Sequence, residues 1–231
     1  MLDKLKENVF RANLEIVKQG LVIHTWGNVS GMDKATGLIV IKPSGVSYKS
    51  MKKEDMVVLD PGGKVVEGKH KPSTDAPTHI LLYKTFSSIG GIVHTHSTYA
   101  TSWAQAGKAI PPLGTTHADH YYGEVPCSRK LAVNEVNTNY EVNTGKVIAE
   151  TMKGKDPLSV PSVLVNSHGP FCWGTDVEDA VYNAVALEEI ARIAFYTILL
   201  GKKEPIDDYL LDKHFMRKHG KDSYYGQKKS K

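Results

Sequence analysis

Residues 90–100 read GGIVHTHSTYA. Two glycines open an apolar pair, Ile92 and Val93, and two histidines, His94 and His96, close it. A short apolar run between glycines and small polar residues predicts a strand. Side chains alternate across a strand, so His94 and His96 leave its same face. Imidazoles at that spacing can chelate one cation, although polar residues also close many strands that bind nothing. STYATSWAQAG, which follows, predicts a helix.

Upstream, Leu2, Leu5, Val9, Ala12 and Ile16 recur every three or four residues and form one helical stripe, with Gly20 as its C-terminal cap. NVSGMDKATGLIVIKPSG reads as two strands around DKATG, and MVVLD and VVEG as a second hairpin around PGGK. STDAPTHILLYKTF predicts a helix that begins near Asp75. Downstream, NTGKVIAETM predicts another helix, and PSVLVNSHGPFCWG two short strands joined at SHGP. Thr175 and Glu178 form a T-x-x-E capping box opening a long helix to about Leu200. A final helix covers about Asp208 to His219. Short strands in hairpins between helices predict an α/β fold with a largely antiparallel central sheet. No repeat or linker divides the chain, so residues 1–231 are expected to form a single domain.

The chain has 231 residues, 41% of them hydrophobic, enough for one sizeable core. Its 29 basic and 25 acidic residues leave a net charge of +4, a balance too even to argue for nucleic acid and one that suits an anionic small molecule. The two cysteines, Cys127 and Cys172, form no C-x-x-C pattern and point to a reducing compartment. The first twenty residues are charged throughout and hold no signal-peptide core. ARIAFYTILLG is too short to span a bilayer. A cytoplasmic protein without membrane or nucleic-acid partners is expected.

Further metal ligands are available where elements end. Asp75 lies at a helix start and His168 in the NSHGP turn, positions where binding residues collect. Histidines with one carboxylate and an open position suit zinc or a similar divalent ion. His117, Asp119 and His120 in THADHYYG make a rival set, and spacing alone leaves the two open. Two stretches suit an anion. IKPSGVSY places Lys42, Ser44 and Gly45 just past a strand. KPSTDAP places Ser73 and Thr74 at a helix N-terminus, where free N–H groups attract phosphate, though either residue could simply cap that helix. TWGNVSG adds Asn28 between glycines that let a ligand approach the backbone.

The ordered set WGNVSG, IKPSG, STDAPTH, GGIVHTHS, HADHYYG, NSHGPFCWG and RKHGKDSYYGQ resembles the class II aldolase/adducin superfamily, from about Leu5 to Gln227. YYGQ and the Asp119 stretch resemble its sugar-phosphate epimerase branch. The resemblance implies a sheet sandwiched by helices, in a homotetramer with active sites between subunits and the C-terminal helix and tail (about 208–231) contributing to a neighbour's site. It implies one divalent ion per subunit, zinc first and manganese second, on Asp75, His94, His96 and His168. It places phosphate on Asn28, Lys42, Ser44, Gly45, Ser73 and Thr74. It assigns proton transfer to Asp119 and Tyr225, the tyrosine from a neighbouring subunit, and brings His214 and Arg217 over from that neighbour as well.

The activity so implied is metal-dependent inversion of a phosphorylated ketopentose at carbon 4, a step of pentose catabolism such as that of arabinose. Related aldolases carry Glu where this chain has Asp75, and that departure favours the epimerase branch. Two alternatives remain: an aldolase that releases the cleaved aldehyde, and an adducin-like assembly domain without metal.

Overall fold

The computed structural model describes residues 2–225. Gly226 and Gln227 of YYGQ, and the tail beyond, lie outside the described residues. Helix α1 (Asp3–Lys18) precedes four strands, β1 (Asn28–Met32), β2 (Ile39–Ile41), β3 (Val57–Leu59) and β4 (Val65–Glu67). Then come α2 (Ala76–Thr85), β5 (Gly91–His94), α3 (Thr98–Gln105), α4 (Thr115–Ala118), α5 (Val133–Asn137) and α6 (Tyr140–Thr151). The chain closes with β6 (Ser162–Leu164), β7 (Pro170–Gly174), α7 (Val177–Leu199) and α8 (Asp208–His219). The seven strands form one sheet in the order β4-β3-β2-β1-β5-β7-β6, and every pairing is antiparallel.

Alternation along β1 shows how the layers assemble. Gly31 faces α1 and α7, since a Cβ there would meet Leu5, Val9 and Val177. Ser30 faces the other way, and its hydroxyl lies 2.7 Å from His79 Nδ1 and 2.8 Å from Tyr83 Oη, both on α2. The sheet is therefore sandwiched, with α1 and α7 on one face and α2 on the other. Helix α6 packs on α2, Gly145 against Leu81. The stripe of α1 is as expected, with Val9, Ala12 and Ile16 buried, and Gly20 turns the chain at φ +71. Asn13 adds a polar lock: its side chain accepts from Val29 N and donates to Val29 O.

Gly31, Gly91 and Gly174 lie side by side across β1, β5 and β7. A Cβ on Gly91 would fall 2.3 Å from Asp176 O, and one on Gly174 2.6 Å from Ala180 N. This row lets the start of α7 lie directly on the sheet. The cap of α7 differs from the expected Thr175 box by one residue. Asp176 is the N-cap and accepts from Asp179 N at 2.8 Å, while Asp179 accepts from Thr175 N at 2.9 Å. Asp179 thus takes the back-bonding place that the T-x-x-E reading gave to Glu178. The GGIVHTH strand ends at His94, and His96 lies in the extended link to α3.

Candidate metal centre and active site

Asn28, His94 and Phe171 sit on neighbouring strands in one register row, where β1 and β7 begin and β5 ends. Around this end of the sheet, loops enclose a cleft of about 630 Å³. Its lining includes Asn28, Lys42, Ser44, Gly45, Ser73, Thr74, Asp75, His94, His96 and His168. Ten of the residues singled out in the sequence thus meet in one place, and the volume suits a small molecule.

Among the described residues, His94, His96 and His168 form the one group of three potential ligands whose donor atoms lie within 4.8 Å of one another. His94 Nδ1 is 2.9 Å from Pro170 O. A carbonyl only accepts, so Nδ1 carries the proton and Nε2 keeps its lone pair for a metal. The His94 ring is braced flat on Phe171, with centroids 4.1 Å apart. His96 Nε2 stands 3.2 Å from His94 Nε2. Zinc–nitrogen bonds of about 2.1 Å at a tetrahedral angle place ligand nitrogens roughly 3.4 Å apart, so the pair fits one such ion. Burial, and then its two neighbours, push His168 down to about 3, so its ring is neutral and able to bind a cation.

Asp75 lies beside this group but outside it. It occupies the N-cap position of α2 without capping it, and its Oδ2 accepts from Asn28 Nδ2 at 2.7 Å. Burial pushes its carboxyl up, but His94, His79, Asn28 and His168 together hold it below its ordinary value. Asn28 Oδ1 is buried and has no partner among the described residues. An orphaned acceptor at a cleft wall invites a ligand hydroxyl.

The two anion loops are joined by a bridge between Pro43 and Pro72, with Ser44 N donating to Lys71 O and Ser73 N to Lys42 O. Their own amides are therefore partly spent, and the charge must come from Lys42. That lysine is 2% exposed, lies 4.7 Å from the Tyr48 ring centre, and has no ion-pair partner among the described residues. Burial lowers its ammonium pKa, a cost that an incoming phosphate would relieve. Gly45, at φ +67, takes the loop's left-handed turn with open space beside it. Ser73 does not cap α2 strongly: its hydroxyl accepts from Asp75 N at 3.4 Å.

The remaining expected residues gather elsewhere. Asp119, just past α4, is held by Arg217 and His214 of α8, with Lys218 Nζ 3.6 Å away. Arg217 and Lys218 in turn lie over the Tyr225 ring, at 4.9 and 4.6 Å. Asp119, His214, Arg217 and Tyr225 thus form a second cluster within one chain, and none of them lines the cleft. Burial pushes the Asp119 carboxyl up, but hydrogen bonds from Arg217 and His214 and the charge of Lys218 outweigh it, so Asp119 is ionised at neutral pH. The rival ligand set is dispersed, since His117 Nε2 donates to Gly123 O at 2.7 Å and Asp119 is bound by cations. The sequence reading missed Trp26, Tyr140 and Glu141 in the cleft wall, and Lys218 beside Asp119. Trp26 stands inside the quoted TWGN stretch, whereas Tyr140 precedes the NTGKVIAETM stretch read as a helix and carries no signal of its own.

Three histidines thus converge at the end of the central strands of a sheet held between helix layers. The chain matches the Class II Aldolase and Adducin N-terminal domain family over residues 7–195 and belongs to that family. It is 58% identical over 228 residues to L-ribulose-5-phosphate 4-epimerase UlaF of Salmonella paratyphi B, covering 98% of this chain and 100% of that protein. The protein of the same name from Salmonella typhi is also 58% identical over 228 residues, with the same coverage. Among solved structures, an L-fuculose 1-phosphate aldolase superposes with a TM-score of 0.78 at 26% identity, covering 91% of this chain and 94% of that one.

Proposed function

We propose that this chain is a metal-dependent L-ribulose-5-phosphate 4-epimerase that interconverts L-ribulose 5-phosphate and D-xylulose 5-phosphate. The observation that carries the reading is one cleft with three convergent imidazoles and a buried Lys42, without an ion-pair partner among the described residues, flanked by serine- and glycine-bearing loops. The relatives named as this epimerase support it over nearly the whole chain. The shared fold keeps a fuculose-phosphate-type aldolase as the second reading.

Carbon 4 of the substrate bears no acidic hydrogen, because the ketone is at carbon 2. Inversion therefore proceeds by breaking the C3–C4 bond. A retro-aldol step gives the enediolate of dihydroxyacetone and glycolaldehyde phosphate, and re-addition to the other face of the rotated aldehyde gives the epimer. A divalent cation, with zinc favoured, would be held by His94, His96 and His168 with Asp75 beside it, and supplies Lewis-acid stabilisation of charge at carbons 2 and 3. Lys42, Ser44, Gly45, Ser73, Thr74 and Asn28 grip the phosphate, so the aldehyde turns without escaping.

Proton transfer needs groups on both sides of that aldehyde. Asp119 and Tyr225 fill this role, with Asp119 kept ionised and ready to accept. Tyr225 lies outside the cleft of its own chain, which supports a homotetramer with sites between subunits, in which the C-terminal helix and tail (about 208–231) of one subunit bring the tyrosine to a neighbour's site. Arg217 and His214 would accompany it. No helix among the described residues is long and apolar enough to cross a membrane, in keeping with a cytoplasmic enzyme of carbohydrate metabolism. Incubation with L-ribulose 5-phosphate tests the activity: the epimerase forms D-xylulose 5-phosphate, whereas accumulation of free glycolaldehyde phosphate identifies an aldolase.

A further inference from the structure

The clustered histidines differ in how their second ring nitrogen is held. His94 Nδ1 faces a carbonyl, which admits one tautomer only. His168 Nδ1 faces the phenol of Tyr140, with Oη 3.2 Å away, and a phenol can either donate or accept. The two rings stack, with planes 28° apart and centroids at 6.2 Å. Contact through Nδ1 leaves Nε2 as the nitrogen free to bind a cation with His94 and His96.

Tyr140 is well placed to fix that ring. It opens α6, immediately after Asn139 in the left-handed region at φ +44. The start of α6 is tied to α2 by Thr78 Oγ1, which donates to Glu141 O at 2.6 Å. Tyr140 is half-buried in the cleft wall, and burial raises its pKa, so the phenol stays neutral. His168 itself sits in the turn between β6 and β7, beside Ser167 at φ +62.

We propose that Tyr140 is a positioning residue of the metal centre. Its Oη accepts the Nδ1–H of His168 and holds that ring with its Nε2 lone pair directed toward His94 and His96. This rests on the reading of the three histidines as metal ligands. Hydrogen-bond partners behind metal-bound histidines typically contribute about 10–100-fold to affinity.

The test uses zinc alone as probe, titrated in competition with a chromophoric chelator against the wild type and Tyr140→Phe, which keeps the ring stack. The variant is expected to bind zinc at least about tenfold more weakly while its metal-free melting temperature is unchanged. Histidine ¹⁵N–¹H spectra of the zinc-loaded wild type should show His168 protonated at Nδ1, with that proton protected from exchange, and the protection should vanish in the variant. Equal zinc affinity in the two proteins, or a wild-type His168 protonated at Nε2, overturns the inference, and the spectrum does so without relying on the variant. A wild type that binds no zinc overturns the metal reading itself.

Discussion

Arg217 Nη2 lies 2.7 Å from one carboxylate oxygen of Asp119 and 2.9 Å from the other, across 98 residues of sequence. The pair is partly buried, and it joins α8 to the segment that follows α4. It keeps Asp119 ionised well into acid, which suits a proton acceptor and opposes a donor in the resting enzyme.

Removing that partner should move the acid limb of the pH–rate profile. Asp119 has a lowered pKa, so its ionised form persists above that value and is lost as pH falls through it. In Arg217→Gln the carboxyl regains part of its ordinary affinity for protons, and the acid limb of kcat/KM shifts to higher pH. Asp119→Asn should cost about 10²–10⁴-fold in kcat at every pH. A profile that does not move in Arg217→Gln would show that Asp119 is not the group titrating there.

Lys42 offers a sharper separation of stability from binding. A buried ammonium with no carboxylate partner among the described residues costs folding energy, so Lys42→Met should melt at the same temperature or higher in the absence of ligand. Charge-assisted hydrogen bonds to phosphate are worth about 1.5–3 kcal/mol, so the variant should lose roughly 10–100-fold in substrate affinity. Calorimetry with and without inorganic phosphate reads both effects, and phosphate should protect only the wild type.

The glycine row under α7 makes a purely structural prediction. Gly91→Ala brings a methyl group within 2.3 Å of a backbone oxygen that cannot move alone. Urea unfolding should show a loss of about 1–3 kcal/mol, with a lower midpoint and an unchanged slope. Gly114→Ala, where the added methyl meets open space and φ is not in the left-handed region, is the control.

Acid should destabilise the fold from below about pH 6.5 down to about pH 4. His117 is buried and neutral, and burial lowers its pKa from 6.5 to about 4. Between those values the unfolded chain binds a proton that the folded chain refuses, so stability falls as pH falls. His117→Asn should flatten that part of the stability–pH curve measured by urea titration. A curve of unchanged slope would place the acid sensitivity elsewhere.

Much of the fold was legible because hydrophobic period and turn chemistry agree locally. The DKATG and PGGK hairpins, the stripe of α1 and the helix starting at Asp75 all lie where residue spacing puts them. Helices α4 and α5 went unread because four or five residues carry no period. The α7 cap slipped by one because Asp176 and Asp179 compete with Thr175 and Glu178 for the same pattern. Of the metal centre, only the His94–His96 pair is visible as local geometry, while the anion stretches around Lys42 and Ser73 are legible one by one but not as neighbours. His168 lies 74 residues from His94 in the chain, and resemblance rather than spacing joined it to the pair. The grip of Arg217 on Asp119 depends on how α8 folds back, and Tyr140 on how α6 docks against α2. Neither leaves a trace in residue order.

The central claim is that His94, His96 and His168 hold one divalent ion on which epimerisation depends. The most direct measurement is turnover of L-ribulose 5-phosphate after exhaustive chelation and again after stepwise return of zinc. The account predicts no detectable D-xylulose 5-phosphate without metal, and activity that saturates at one zinc per subunit in the wild type but never returns in His94→Asn. Full activity in the metal-free protein would contradict it.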